Sequence, residues 1–145
     1  MIPAVPTPGN HEYRRDSLGK LVLDPHWKVQ FNLPKNGPEG MQDAVYYLDY
    51  QDLRMISLNS QLIMLDSTAA ATQEIWLEKV LASSTKKWNI VVMHHPVYST
   101  AKNRDNTILR ERFKPIFEKY GVDLVLQGHD HTYARGGLGK KRPVY

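Results

Sequence analysis

The stretch "VDLVLQGHDHTYAR", residues 122–135, decides the fold, because an apolar run leads directly into a cluster of polar side chains. Its first six residues have the length and composition of a buried strand, and its continuation carries two histidines and an aspartate. In layered α/β folds, ligands bind beyond the C-terminal ends of the strands. The sequence therefore predicts a core strand over 122–127 and a functional loop that starts at Gly128.

Two further segments show the same order of apolar and polar residues. "WNIVVMHHP", residues 88–96, begins as a buried strand and ends in two adjacent histidines, and "TPGNHEY", residues 7–13, follows an apolar start. Five of the six histidines fall in these three places, and strand ends on one rim of a sheet would bring them together. The sixth, His26, lies in a stretch without a clear pattern and is expected to be an ordinary surface residue.

The remaining segments supply further strands and a helix. "AVYYLDY" and "LRMISLNS", residues 44–50 and 53–60, are rich in β-branched and aromatic residues and predict a hairpin. Residues 14–44 show no regular period and are predicted to be irregular. "TQEIWLEKVLASS", residues 72–84, predicts a helix whose apolar side carries Ile75, Trp76, Val80 and Leu81.

A second helix is predicted over "NTILRERFKPIFEKYG", residues 106–121. Pro115 should kink it, because proline lacks the N–H that would bond to residue 111, and Gly121 is a typical helix end. Helices that alternate with buried strands predict an α/β layered fold. The apolar stripe of this helix is Leu109, Phe113, Ile116, Phe117 and Tyr120.

Composition excludes several classes of protein. The chain has 145 residues, 41% of them apolar, and a formal net charge of +4, which suits one globular domain and an anionic substrate. Its only dense basic run, Lys140, Lys141 and Arg142, predicts a solvated loop rather than a nucleic-acid surface. The absence of cysteine excludes disulfides and thiolate ligands, and no apolar run is long enough to span a membrane.

Each polar segment alone has an ordinary structural explanation. A His-x-His pair can be structural, and Gly-Asn-His-Glu can serve as a turn or a helix cap. Their joint occurrence at predicted strand ends favours a metal site instead. Imidazole with amide or carboxylate oxygens, and no thiolate, suits Zn²⁺, iron or Mn²⁺.

Three blocks in order carry a resemblance to a known family: Gly9-Asn10-His11-Glu12, Val91-Val92-Met93-His94 and Gly128-His129-Asp130-His131. With the tail Thr132-Tyr133-Ala134-Arg135, they resemble the calcineurin-like metallophosphoesterase superfamily, and most closely its purple acid phosphatase branch. The resemblance implies a partial layered α/β/β/α sandwich. It also implies hydrolysis of small phosphomonoesters at a dinuclear metal centre, and export to the periplasm or the outside of the cell.

The resemblance also implies roles for particular residues. Asn10, His94 and His129 would hold one metal ion and His131 the other, the pair being iron with zinc, manganese or iron. His11 would act on the substrate side, by stabilising the transition state or protonating the leaving oxygen. Supporting roles are expected for Glu12, His95 and Asp130. For Lys102 and Arg104, contact with the substrate phosphate and an ordinary exposed loop charge are both open. For Glu12, orientation of His11 and capping of the following segment are both open.

The sequence departs from the branch in one respect. Gly-Asp-x-x-Tyr occurs nowhere in the chain, nor does the preceding Asp block, so the aspartate that bridges both metals has no counterpart. We therefore expect residues 1–145 to be the later part of a catalytic domain, with the first two ligand blocks before residue 1 and a strand continuing from residues 143–145. The alternative is a non-catalytic α/β fragment or a degenerate module with at most one weakly bound metal.

Overall fold

The computed structural model describes residues 4–137 and 143–145. The basic run over Lys140, Lys141 and Arg142 lies outside the described residues, so its prediction stays untested. Within the described residues, no helix is both long and apolar enough to cross a bilayer.

The centre of the molecule is a four-stranded sheet. It consists of β3 (Tyr46–Tyr50), β4 (Leu53–Ser57), β5 (Trp88–Val92) and β6 (Leu124–Leu126), hydrogen-bonded in that order. β3 and β4 form the predicted antiparallel hairpin, whereas β4, β5 and β6 are parallel. The three parallel strands therefore end at the same rim.

Helices form the crossovers between the parallel strands, as α/β connections require. After β4 come α2 (Ser60–Leu65) and α3 (Ser67–Ala82), and after β5 comes a π-helical turn (Leu109–Phe113) that continues as α4 (Lys114–Lys119). One face of the sheet packs on these helices, and the shared core contains Ile56, Leu77, Val91, Phe117 and Val125. The fold class predicted from the sequence, α/β of the metallophosphoesterase type, is confirmed.

The opposite face of the sheet borders a cavity of about 700 Å³. Strand side chains alternate between faces, so several residues next to the buried ones on β4, β5 and β6 point into this cavity. Leu53, Trp88, Ile90, Leu124 and Leu126 line it, and Val144 forms a single parallel bridge to Leu124 at its edge.

The prediction that residues 14–44 are irregular is wrong in part. They contain most of a small hairpin, β1 (Tyr13–Arg15) with β2 (Leu21–Leu23), and a short helix α1 (Pro25–Gln30). The hairpin turn is closed by Asp16, whose carboxylate accepts from the backbone amides of Leu18 and Lys20. The stretch 33–40 is loop, as expected.

Two details of the helices also differ from the predictions. α3 begins at Ser67, five residues earlier than expected, because the Asp66 carboxylate caps it by accepting from the amides of Thr68 and Ala69. Ile75, placed on the apolar side, is 58% exposed. Pro115 stands in the first turn of α4, directly after the π-helical turn, where an N–H without an intrahelical partner is normal.

Candidate metal centre

Backbone pairing continues past the ends of the parallel strands and aligns the histidine segments. Leu58 N–H donates to Val92 O at 3.0 Å, Met93 N–H to Leu126 O at 3.1 Å, and Gly128 N–H to His94 O at 2.9 Å. The Gly-Asn-His-Glu segment joins the same rim, because the hydroxyl of Thr7 donates to Leu58 O at 3.1 Å. Three segments that are distant in sequence thus meet at one place.

Three ligand atoms lie together at this rim. Nε2 of His94 is 2.8 Å from Oδ1 of Asn10 and 2.9 Å from Nδ1 of His129, and the last two atoms are 3.2 Å apart. We call Asn10, His94 and His129 the ligand triangle. An amide oxygen is only an acceptor, and two neutral imidazoles supply at most one donor each, so the triangle is rich in lone pairs.

The geometry of the triangle fits a bound metal ion. Bonds of about 2.0–2.2 Å to one ion, at angles near a right angle, place neighbouring ligand atoms about 3 Å apart. The observed separations, 2.8 to 3.2 Å, bracket that value. Two imidazole nitrogens and an amide oxygen suit Zn²⁺, Mn²⁺ or iron.

The surroundings keep both imidazoles of the triangle neutral, which is the state that binds metal. Burial lowers the pKa of His94, and the positive charges of His129, His11 and His131 lower it further, against an opposing effect of Glu12. Burial also lowers the pKa of His129, with Arg104 and His131 acting in the same direction and Asp130 against them.

Gly9 and Glu12 build the turn that presents Asn10. The Glu12 carboxylate accepts from the Gly9 backbone N–H at 2.7 Å, so it caps the turn to which it belongs rather than the segment that follows, and its orientation of His11 stays a prediction. A Cβ on Gly9 would lie 2.7 to 2.8 Å from the ring of His94. Only glycine allows the turn to approach the imidazole this closely.

His95 lies behind the triangle and is 3% exposed. Its backbone N–H donates to Oγ of Ser60 at 2.9 Å, and its Nδ1 is 3.0 Å from the same oxygen. Because that hydroxyl has its own hydrogen left to donate to Nδ1, this pattern assigns the ring proton to Nε2. One ring nitrogen of His95 lies within 4.8 Å of ring nitrogens of His94 and His129. This spacing is wider than the separations within the triangle, so Asn10 is the better third ligand.

His11 and His131 lie beside the triangle rather than in it. Both side chains are exposed, and both are close enough for their charges to lower the pKa of His94. His11 belongs to a short 3₁₀ turn (Asn10–Glu12), next to the ligand oxygen of Asn10. His131 follows His129 by two residues on the same loop.

Asp130 and Arg104 form an ion pair next to the triangle. Burial alone would raise the pKa of Asp130, but hydrogen bonds from Ser99, Arg104 and the amides of Thr100 and Ala101 hold it well below its usual range. Arg104 is therefore held by a carboxylate, whereas Lys102 is exposed on the same loop.

Sequence reasoning did not single out Ser60, which positions His95, or Ser99, which contacts Asp130. A signal for Ser60 was present, because it follows β4 as the histidines follow β5 and β6. Ser99 gives no such signal, because it does not stand directly after a strand but seven residues beyond the end of β5.

Comparison with known proteins agrees with this fold and site. The family model for calcineurin-like phosphoesterases matches residues 1–133. The chain therefore belongs to the calcineurin-like phosphoesterase family, and its relatives place it in the purple acid phosphatase-like branch.

Three relatives illustrate the extent of the similarity. Human tartrate-resistant acid phosphatase type 5 is 38% identical over 146 residues, which cover 90% of this chain and 44% of that protein. An uncharacterised protein of Mycobacterium tuberculosis is 29% identical over 94% of this chain and 29% of its own length. The structure of a purple acid phosphatase from yellow lupin seeds aligns with a TM-score of 0.62 at 24% identity, over 85% of this chain and 24% of that one. The chain thus spans less than half the length of these relatives.

Proposed function

We propose that the complete protein hydrolyses phosphomonoesters at a dinuclear metal centre, and that this chain supplies the later ligands of that centre. The observation that carries the proposal is the ligand triangle, in which donor atoms 2.8 to 3.2 Å apart converge from three distant segments. Membership of a family whose relatives include acid phosphatases supports the reaction class.

In this proposal Asn10, His94 and His129 hold one ion and His131 contributes to the second, with iron paired with zinc, manganese or iron. When bound, two such ions neutralise phosphate charge and activate a water for in-line attack. The aspartate that bridges both metals has no counterpart in residues 1–145, so in this proposal it belongs to another part of the complete protein.

His11 serves the substrate in this proposal. Its imidazole is exposed beside Asn10, where it can donate a hydrogen bond or a proton to the oxygen that leaves phosphorus. Lys102 is the remaining exposed cation of the neighbouring loop and is suited to attract an anionic substrate. The preferred substrates are small phosphoesters rather than nucleic acids, and kinship with acid phosphatases favours export of the complete protein.

The test begins with the chain itself, titrated with Co²⁺ or Zn²⁺ by calorimetry. One ion should bind per chain, and His94→Ala should weaken binding at least about 100-fold, because it removes one of three ligands. His11→Ala and His131→Ala should change the dissociation constant less than about threefold. His26→Ala is the matched control, since His26 is an exposed histidine on α1.

In the complete protein, the same variants separate binding from chemistry. His94→Ala should lose metal and p-nitrophenyl phosphate hydrolysis together, whereas His11→Ala should keep its metal content and lose kcat. Equal metal loss in both variants would contradict the assigned roles. The isolated chain should show negligible turnover, and substantial hydrolysis with two tightly bound ions would show that the missing ligand blocks are not needed.

A further inference from the structure

Both histidines of the Gly-His-Asp-His loop have a backbone conformation that non-glycine residues avoid. His129 has φ +72° and His131 has φ +52°, both in the left-handed region. Such residues persist only when surrounding contacts determine their conformation. Something in the fold must therefore hold this loop, and through it the two imidazoles.

The side chain of Asp130, which lies between the two histidines in the sequence, makes the contacts that fix this loop. The Asp130 side chain is only 6% exposed. Its Oδ2 accepts from the Ser99 hydroxyl at 2.7 Å and from the Thr100 backbone N–H at 2.8 Å, with Ala101 N–H at 3.4 Å. Its Oδ1 accepts from the guanidinium of Arg104.

These contacts join two chain segments that follow different strands. Residues 99–104 follow β5 and the Gly-His-Asp-His loop follows β6, and Asn103 within the first segment is also left-handed, with φ +63°. The carboxylate thus fastens one strained loop to another directly beside the ligand triangle.

We propose that Asp130 is a positioning residue for the metal centre, which holds His129 and His131 in place by fastening their loop to residues 99–104. The inference rests on the proposed metal site and adds a determinant of its affinity. It also predicts coupling between metal binding and the order of residues 99–104. A bound metal ion would restrict the loop that Asp130 contacts, so metal binding should reduce the motion of residues 99–104. Loss of the Asp130 contacts should in turn weaken metal binding.

The test uses Co²⁺ titration of the 145-residue chain, with the apo melting temperature measured in parallel and binding assayed well below it. Asp130→Asn should weaken Co²⁺ binding at least tenfold. Asp105→Asn is the matched control, because Asp105 lies in the same region, forms an ion pair with Arg110 and is 63% exposed. It should change the dissociation constant less than twofold.

Ser99→Ala separates positioning from simple attraction between the carboxylate and the cation. It leaves every charge in place and removes the hydroxyl that donates to Asp130 and accepts from the Ala101 N–H at 3.1 Å. A positioning role predicts about threefold weaker binding and a changed Co²⁺ absorption spectrum. A purely electrostatic role predicts wild-type affinity and an unchanged spectrum.

A third readout is hydrogen exchange at the backbone amides of Thr100, which donates to Asp130, and Ala101, which is shared between the Ser99 hydroxyl and Asp130. Zn²⁺ should slow their exchange in the wild-type chain but not in Asp130→Asn. The proposal is overturned if folded Asp130→Asn binds within twofold of wild type, or if Ser99→Ala leaves affinity and exchange unchanged. If Asp130→Asn does not fold, Ser99→Ala decides by the same criteria. If wild type and His94→Ala bind Co²⁺ equally, the result contradicts the proposed metal site rather than the role of Asp130.

Discussion

The two ends of the central sheet are built on opposite electrostatic principles. At the start of β4, Arg54 donates to both oxygens of Asp49 at 2.8 and 2.9 Å and to Val80 O at 2.7 Å, so donors meet acceptors throughout. At the rim where the parallel strands end, the lone pairs of Asn10 and His129 face the imidazole of His94.

This difference shows which end stabilises the fold and which end is reserved for a ligand. At the rim, three half-buried ligand atoms crowd together with at most one ring proton per imidazole to share, and proteins retain such arrangements where function requires them. The arginine end should therefore control unfolding without affecting metal affinity. The rim should control metal affinity with little effect on the unfolding of the apo chain.

The largest effect on the free energy of unfolding is expected from Arg54→Ala, which removes the hydrogen-bond donors at the start of β4. Arg54 is 7% exposed, and its loss removes the guanidinium from the Asp49 carboxylate and one of two side-chain donors from Val80 O, which keeps the Ser83 hydroxyl at 2.9 Å. We expect a loss of about 2–3 kcal/mol in the free energy of unfolding, below the usual figure for a fully buried pair because the Asp49 side chain is 32% exposed. Urea denaturation in EDTA measures this.

The control for Arg54→Ala is Arg110→Ala, because Arg110 pairs with the exposed Asp105. That substitution should cost less than about 1 kcal/mol. Neither variant should change the Co²⁺ dissociation constant by more than twofold. A large loss of metal affinity in Arg54→Ala would show that the two ends of the sheet are coupled.

Gly9→Ala changes the rim and should have the opposite effect, with weaker metal binding and little change in the stability of the apo chain. The added Cβ would meet the His94 ring at 2.7 to 2.8 Å, so the imidazole or the turn must shift away from its position in the triangle. Metal geometry tolerates little displacement, and we expect about tenfold weaker Co²⁺ binding with less than about 1 kcal/mol change in apo stability.

Gly136→Ala is the control, since a Cβ there would meet no atom within 4 Å. It should leave both stability and metal affinity near wild type. If Gly9→Ala instead unfolded the chain while binding metal normally when folded, the glycine would serve the fold rather than the site.

Much of this comparison could be predicted from the sequence, because the apolar runs ending at Val92 and Leu126 fix where the histidines emerge. Their parallel pairing then leaves only one rim for them to share. The hairpin from Tyr13 to Leu23 could not be predicted, since three-residue strands show no period and depend on the turn bonds of Asp16.

The detailed roles of polar residues were also beyond the sequence. Glu12 had two plausible partners nearby, and only the folded turn shows that the Gly9 N–H is the one it accepts from. Ile75 was misplaced because the helical period alone does not say which side of α3 faces the sheet. The buried side is set instead by contacts of Leu77 and Val80 with strands far away in the sequence.

The smallest effect concerns the protonation of His95, at the back of the rim. Burial lowers its pKa to about 4, the positive charges of His129, His94 and Arg104 act in the same direction, and Asp130 opposes them. The unfolded chain has a histidine pKa of about 6.5. Between these values only the unfolded chain takes up the proton, so stability falls as the pH falls through this range.

Lowering the pH from 7 to 5.5 should therefore cost about 1 kcal/mol of apo stability through His95 alone. His94 and His129 contribute with the same sign, so the comparison is between the wild type and His95→Gln, which retains both. The variant should be less stable at pH 7, because Ser60 loses its imidazole partner, yet its stability should depend less on pH. Urea denaturation in EDTA at the two pH values measures the difference in slope. Equal slopes would mean that His95 takes up its proton in the folded chain as readily as in the unfolded one, and that the rim accommodates a charge without a metal ion.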